Sequence, residues 1–191
     1  VGEPSALFAR QALGADLLSL SAHKLGGPAG VGALLVRRGL RLEPLLVGGD
    51  QERARRAGLE NVAGLAGFAA ACAALGDGQL ADEADRARRL TERVLTGVAE
   101  MDGVPAYGDP VDRLPHLVCL GIEGVEPQAV LLGLDAAGVA VHSGSACSSE
   151  ALEPSPVLAA MGVDAHRSLR VSVGWSTTDA DIDAFLDALP R

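Results

Sequence analysis

The chain has 191 residues, a hydrophobic fraction of 48%, a charged fraction of 21% and a formal net charge of −9. That length and apolar content suit one large domain or one and a half smaller ones around a packed core, and they exclude an intrinsically disordered chain. The negative balance argues against direct nucleic-acid binding or an anionic membrane partner, and the local cluster Arg53, Arg55 and Arg56 is too small to reverse it. Aromatic residues are only 3%, so the core must come from Ala, Leu and Val, which favours close-packed helices and parallel strands. Cys72, Cys119 and Cys147 are odd in number, widely spaced and form no CxxC pair. A disulfide framework or structural metal site is therefore not expected, and a reducing cytoplasm fits best.

The opening Val1-Gly2-Glu3-Pro4 reads as the interior of a longer protein. Residues 5–13 suit a short helix ended by Gly14. Residues 16–20 read as a buried strand, 21–30 as a glycine-rich turn and 31–36 as a second strand closed by Arg37-Arg38-Gly39. Two short apolar strands around so long and polar a connection look like the edge of an active site rather than a plain hairpin. A polar loop over 48–61 ends at Asn61, a good N-cap for a buried helix over 62–75. That apolar run contains two glycines and is too short to span a bilayer. The break Gly76-Asp77-Gly78 is the best domain boundary. A helix over 81–101 follows, with Leu90, Val94, Leu95 and Val98 as its apolar stripe.

Beyond it the pattern gives a strand (117–121), a helix (127–137), a strand (139–142), a loop (143–153), a short helix (156–161), a strand (169–173) and a last helix (180–189). Thr178 and Asp179 precede that last helix, and Asp179, Asp181 and Asp183 favour its positive end. Alternating strands and helices make this half an α/β layer.

Four segments could carry chemistry. Lys24 is the single lysine of the chain, inside Ser21-Ala22-His23-Lys24-Leu25-Gly26-Gly27-Pro28-Ala29-Gly30. Arginine stays charged, whereas lysine can lose its proton and attack a carbonyl. With a hydroxyl (Ser21), an imidazole (His23) and glycines beside it, Lys24 could form an imine with an aldehyde cofactor whose phosphate the neighbours hold, pyridoxal phosphate being the obvious case. A surface turn with a solvated lysine is the alternative. Val141-His142-Ser143-Gly144-Ser145-Ala146-Cys147-Ser148-Ser149 places one thiol among small residues, which favours an exposed, reactive cysteine over a buried one. Cys72, in an apolar helix, and Cys119, in a strand, read as core. His142 could activate the thiol of Cys147 or be purely structural.

In Ser168-Leu169-Arg170-Val171-Ser172-Val173, the hydrophobic residues point one way and Arg170 the other. An arginine emerging from a buried strand needs an anion, either a ligand carboxylate or an internal Asp. The glycines and arginines of residues 48–61 suggest anion binding or a solvated charged loop.

Taken together, SAHKLGGPAGVGALLVRRG, GGDQERARRAGLENVAG, VHSGSACSSEALEPSPVLAAMG and SLRVSVGWSTTDADID resemble the cysteine desulfurases of the NifS/IscS type. These belong to the class V aminotransferase-like branch of the fold-type I pyridoxal 5'-phosphate (PLP) enzymes. The segments occur in the family's order along the whole chain, which resembles the family's C-terminal portion. The resemblance implies an α/β fold of the PLP-transferase (aspartate-aminotransferase-like) kind. Residues 1–76 would be the remainder of the large PLP-binding domain, and residues 77–191 a small C-terminal α/β domain carrying the Cys loop.

It further implies that Lys24 forms the internal aldimine with pyridoxal phosphate and that Ser21 and His23 contact the phosphate. Cys147 would take sulfur from L-cysteine as a persulfide, releasing L-alanine, and Arg170 would bind the substrate carboxylate. Implied partners are a second copy in a homodimer and a sulfur acceptor serving iron–sulfur cluster assembly or tRNA thiolation. A selenocysteine or cysteine-sulfinate lyase, or a non-catalytic assembly subunit, are the competing expectations. Two residues depart from the family pattern: Leu59 stands where a phosphate-binding threonine is usual, and Asp50 where a third glycine is usual. The family's histidine over the cofactor and its pyridine-pairing aspartate lie before the region that starts here, so this chain alone is expected to be a poor enzyme.

Overall fold

A computed structural model describes residues 14–76, 78–143 and 154–189. The expected helix over 5–13 and nearly all of the loop over 143–153, Cys147 included, lie outside the described residues. The chain divides into two compact units, Val1–Leu80 and Ala81–Arg191.

In the first unit, β1 (Leu17–Ser21) and β2 (Gly32–Val36) pair antiparallel, Leu17 opposite Val36 and Ser21 opposite Gly32. A one-turn 3-10 helix, Ala22–Leu25, leaves β1 directly. The loop over 48–61 is not wholly irregular. Glu52, Arg53 and Ala54 form a left-handed turn with φ of 51°, 60° and 57°. Such angles crowd Cβ against the following carbonyl and cost about 1–2 kcal/mol per non-glycine residue.

Helix α1, Val62–Ala74, starts where Asn61 accepts the amide of Gly64 at 3.0 Å. Its sequence is apolar on every side, yet Phe68 is its only buried residue and Cys72 is exposed. The expectation of a buried helix and a core Cys72 is thus corrected: the described residues of this unit supply few neighbours to cover the helix. The face that does pack is the glycine face. A Cβ on Gly64 would lie 2.6 Å from Val31 Cγ1, and one on Gly67 2.6 Å from Pro28 Cγ. The two glycines three residues apart let the 28–31 loop seat directly on the helix backbone.

The second unit holds all but the first two residues of α2 (Gln79–Val98), together with β3 (Ala106–Tyr107), β4 (Leu117–Gly121), α3 (Pro127–Ala136), β5 (His142–Ser143), α4 (Pro156–Ala160), β6 (Ser168–Ser172) and α5 (Asp179–Ala188). Its sheet runs β3-β4-β6-β5. All described strand pairs are antiparallel, which corrects the expectation of parallel strands. The reason is topological. β4 and β5 do run parallel, linked through α3, but β6 inserts between them and pairs with both. β3 was not foreseen, since two residues carry no readable alternation. The strand expected at 139–142 is confined to His142–Ser143.

One face of this sheet builds the core. Val118 and Leu120 of β4, Leu169 and Val171 of β6, Leu90, Val94 and Val98 of α2, Leu134 of α3 and Ile182 and Phe185 of α5 form one buried cluster. The α2 residues sit at helical spacing, so burying one stripe leaves the arginines outside. Those arginines lash α2 to α5. Arg89 Nη1 meets Asp179 at 2.9 Å, Arg93 Nη1 meets Asp179 at 3.2 Å, and Arg93 also pairs with Asp183. Thr178 and Asp181 close the start of α5 as a reciprocal cap.

Two outcomes are expected. Gly67→Ala should drive Pro28 off α1 and lower stability by about 1–3 kcal/mol, read by urea denaturation against a Gly174→Ala control, where an added Cβ meets nothing within 4 Å. Hydrogen bonding from Arg89, reinforced by Arg93, holds the Asp179 carboxyl below its usual value. A depressed folded-state value adds stability above the ordinary carboxylate range and loses it as pH falls below about 4. Asp179→Asn should therefore lower Tm slightly at pH 7 and show a shallower acid-induced fall than wild type, measured by melting at stepped pH.

Candidate active site

Ala22 has no exposed surface, while Ser21, His23 and Lys24 around it are exposed. Two hydrogen bonds fix that arrangement: the Ala22 amide donates to Val31 O at 3.0 Å, and the Gly27 amide donates to Ala22 O at 2.9 Å. Gly26 ends the 3-10 turn at φ 79°, in the left-handed region glycine adopts without strain. A Cβ on Gly32 would run into the carbonyl of Leu20, so the residue opposite Ser21 must be glycine. The turn thus displays a hydroxyl, an imidazole and an amine on one short, tightly anchored segment. No ion pair engages Lys24 among the described residues. That donor set suits an anionic phosphate together with an electrophilic carbonyl.

A second feature of this unit is a cleft of about 710 Å³ between β2 and the residues around the left-handed turn. Arg53, Arg55 and Arg56 line it together with Leu59 and Asn61. It does not include Ser21, His23 or Lys24. Leu59 is 94% exposed, with an apolar side chain where a hydroxyl was expected from the resemblance.

In the second unit, the face of the sheet opposite the core carries a transverse row. Tyr107 lies opposite Cys119, Cys119 opposite Arg170, and Arg170 opposite His142. Strand alternation sends Leu169 and Val171 inward and Arg170 outward, as the sequence predicts. The same alternation corrects Cys119, read as core: it belongs to the Arg170 face and is half-buried. Burial pushes its thiol up from the ordinary value, and the Arg170 cation acts against that rise. Such a thiol is largely protonated and a poor nucleophile at neutral pH. Burial likewise raises Tyr107, with nearby Asp164 adding to it. The Tyr107 hydroxyl lies over Gly121, where any Cβ would strike it.

His142 has its Nδ1 2.6 Å from the carbonyl of Ser143. If Nδ1 carries the proton of that bond, Nε2 is left as the accepting nitrogen. Among the described residues, Arg170 makes no ion pair within 4 Å and its buried Nε has no hydrogen-bond partner. The row, with Arg113, Leu117 and helix α4, borders a cavity of about 1110 Å³, although His142 itself is not among its lining residues. Tyr107 and Arg113 were missed from the sequence. The alternation of 117–121 could have located Cys119, but nothing local marks the other two.

Residues 5–185 match the aminotransferase class V family model. Over 179 residues the chain is 48% identical to a cysteine desulfurase of Gluconacetobacter diazotrophicus, covering 92% of this chain and 44% of that protein. It is 41% identical over 181 residues to cysteine desulfurase IscS 1 of Archaeoglobus fulgidus, covering 93% of this chain and 47% of that one. A NifS-like protein from Rickettsia africae superimposes with a TM-score of 0.80 at 33% identity, over 94% of this chain and 48% of its own. The chain spans a little under half the length of these relatives. The expected α/β fold of the NifS-like PLP enzymes is therefore the one observed, and with the family model covering nearly every residue, this chain belongs to the aminotransferase class V family.

Proposed function

We propose that the protein containing this chain is a pyridoxal-phosphate-dependent cysteine desulfurase, which converts L-cysteine to L-alanine and an enzyme-bound persulfide. One observation carries the reading: the only lysine of the chain is displayed beside a hydroxyl and an imidazole on a turn anchored by buried Ala22. The names borne by its relatives support the choice of substrate.

Ser21 and His23 would hold the cofactor phosphate, with Gly26 and Gly27 allowing close backbone approach. When bound, pyridoxal phosphate supplies an aldehyde and an electron-withdrawing ring that stabilises negative charge on the adjoining substrate carbon. Lys24 Nζ would hold the aldehyde at rest and, once freed, accept and return protons at the substrate. The guanidinium of Arg170 would orient the substrate carboxylate through a two-point contact. The Cys147 thiolate would then attack the substrate sulfur. An S–S bond forms and the Cβ–S bond breaks with its electron pair left on carbon, which is protonated to the methyl group of alanine. Cys147 keeps the sulfur as a persulfide, to be passed to an acceptor for iron–sulfur cluster assembly or tRNA thiolation. The unit holding the lysine would be part of the large cofactor domain, and the other unit the small domain of a cytoplasmic homodimer.

A second reading, a non-catalytic assembly subunit, is favoured by one residue. Leu59 offers no hydroxyl where the family usually has threonine, so the loop cannot bond a phosphate there. Turnover decides between the two.

The full natural protein supplied with pyridoxal phosphate should show a visible absorbance band that Lys24→Ala abolishes; a band that persists in Lys24→Ala rules out the role given to that lysine. Cys147→Ser should retain the band but fail to gain one sulfur atom by mass spectrometry after incubation with cysteine. Arg170→Met should raise KM for cysteine by roughly 10- to 100-fold, with a smaller change in kcat, measured by alanine formation.

A further inference from the structure

The lysine turn is seated on a helix that carries no chemistry of its own. Ala22 is gripped from two sides: its amide donates to Val31 O at 3.0 Å, and its carbonyl accepts the Gly27 amide at 2.9 Å. Lys24 lies between Ala22 and Gly27, so both bonds hold the segment that displays it. The residues that join the two grips, 28–31, meet α1 at two points. Pro28 Cγ would lie 2.6 Å from a Cβ on Gly67, and Val31 Cγ1 2.6 Å from a Cβ on Gly64. The 3-10 turn itself also packs on α1.

This seat has little tolerance. Carbon atoms rest about 3.5–4.0 Å apart, so a methyl group on Gly67 obliges the Pro28 ring to retreat by about 1 Å. The ring is closed onto its own backbone nitrogen, so no change of rotamer can turn it aside. Pro28 follows Gly27 directly, and the retreat passes to Gly27 and Val31 and through their hydrogen bonds to Ala22. A misplacement of about 1 Å, made far from the reacting atoms, can cost ~100-fold in rate.

We infer that Gly67, acting through Pro28, is a positioning residue for Lys24. The absence of a side chain on one face of α1 sets where the amine stands. The inference rests on the cofactor-holding role given to Lys24 and adds the helix that fixes that role in space.

The test compares the full natural protein with Gly67→Ala, Pro28→Ala and the double variant. Three quantities are read: amide exchange of the segment 20–31 in protein freed of cofactor, the Kd for pyridoxal phosphate from its visible band, and kcat and KM for cysteine. Gly67→Ala should speed exchange at Ala22 and Gly27, weaken the cofactor by roughly tenfold and lower kcat by roughly 10- to 100-fold. KM should change little, because Arg170 belongs to the other unit. Pro28→Ala empties the seat instead of overfilling it and should move all three readouts the same way by less. In the double variant the new methyl occupies space the ring has left, and most of the loss should be recovered. Val94→Ala, in the fully buried core of the second unit, should lower Tm yet leave exchange over 20–31 and the cofactor Kd as in wild type.

Wild-type exchange and kcat in a folded Gly67→Ala protein would overturn the inference. So would a double variant no better than the worse single one, or a Val94→Ala protein that changes the same readouts equally. Should Gly67→Ala not fold, Pro28→Ala and the double variant still decide it. A wild-type protein that shows no visible band sinks the desulfurase reading instead, and the exchange measurement then judges by itself whether α1 holds the turn.

Discussion

Burial of Ala22 forces its neighbours outward. A residue with no exposed surface, hydrogen-bonded through its amide to Val31 and through its carbonyl to Gly27, leaves Ser21, His23 and Lys24 at the surface. The clasp in turn depends on the 28–31 loop, which can reach α1 because Gly64 and Gly67 present bare backbone to Val31 and Pro28. Small residues therefore position the reactive ones. This also explains how a chain with 3% aromatics builds a defined turn: close backbone approach replaces the bulk of a ring.

The second unit solves the same problem with a sheet. β6 lies between β4 and β5, and its Leu169 and Arg170 have a strand partner on both sides. Alternation sends Leu169 and Val171 into the core cluster and leaves Arg170 in a row with Tyr107, Cys119 and His142. A one-residue slip of β6 would bury Arg170 among leucines and valines and expose Leu169. The burial of the core face thus fixes the register of the opposite face. Arg170 is placed by hydrophobic packing on the side it does not touch.

Local chemistry made much of this legible. Asn61, the α2 stripe and the Leu169–Val171 alternation each have a short-range physical cause, and each appears where the pattern puts it. The strand directions were not legible, because whether β4 and β5 pair depends on β6 inserting between them from far along the chain. α1 was misjudged because an apolar sequence reports a tendency to be covered, not whether a neighbour in the unit covers it. Cys119 was read by residue type, since free cysteines are often buried, when its odd position between Val118 and Leu120 placed it on the other face. Tyr107 and Arg113 have neither periodicity nor motif. Their meaning comes only from contacts with Gly121 and Thr91, which lie 14 and 22 residues away.

Arginine supplies all but one of the chain's side-chain amine and guanidinium cations, and the structure uses it in two opposite ways. Arg89 and Arg93 stand at the surface, where Asp179 and Asp183 answer them and water screens what remains. Arg113 and Arg170 stand at one cavity, each with a buried Nε and no ion pair among the described residues. The first arrangement is self-contained: both charges belong to the fold, and breaking it costs little. The second is not, since an N–H removed from water without an acceptor is a standing penalty that the apolar wall beside it cannot relieve. Thr91 shows that the fold can satisfy such a donor, because a fully buried hydroxyl meets Arg113 Nη1.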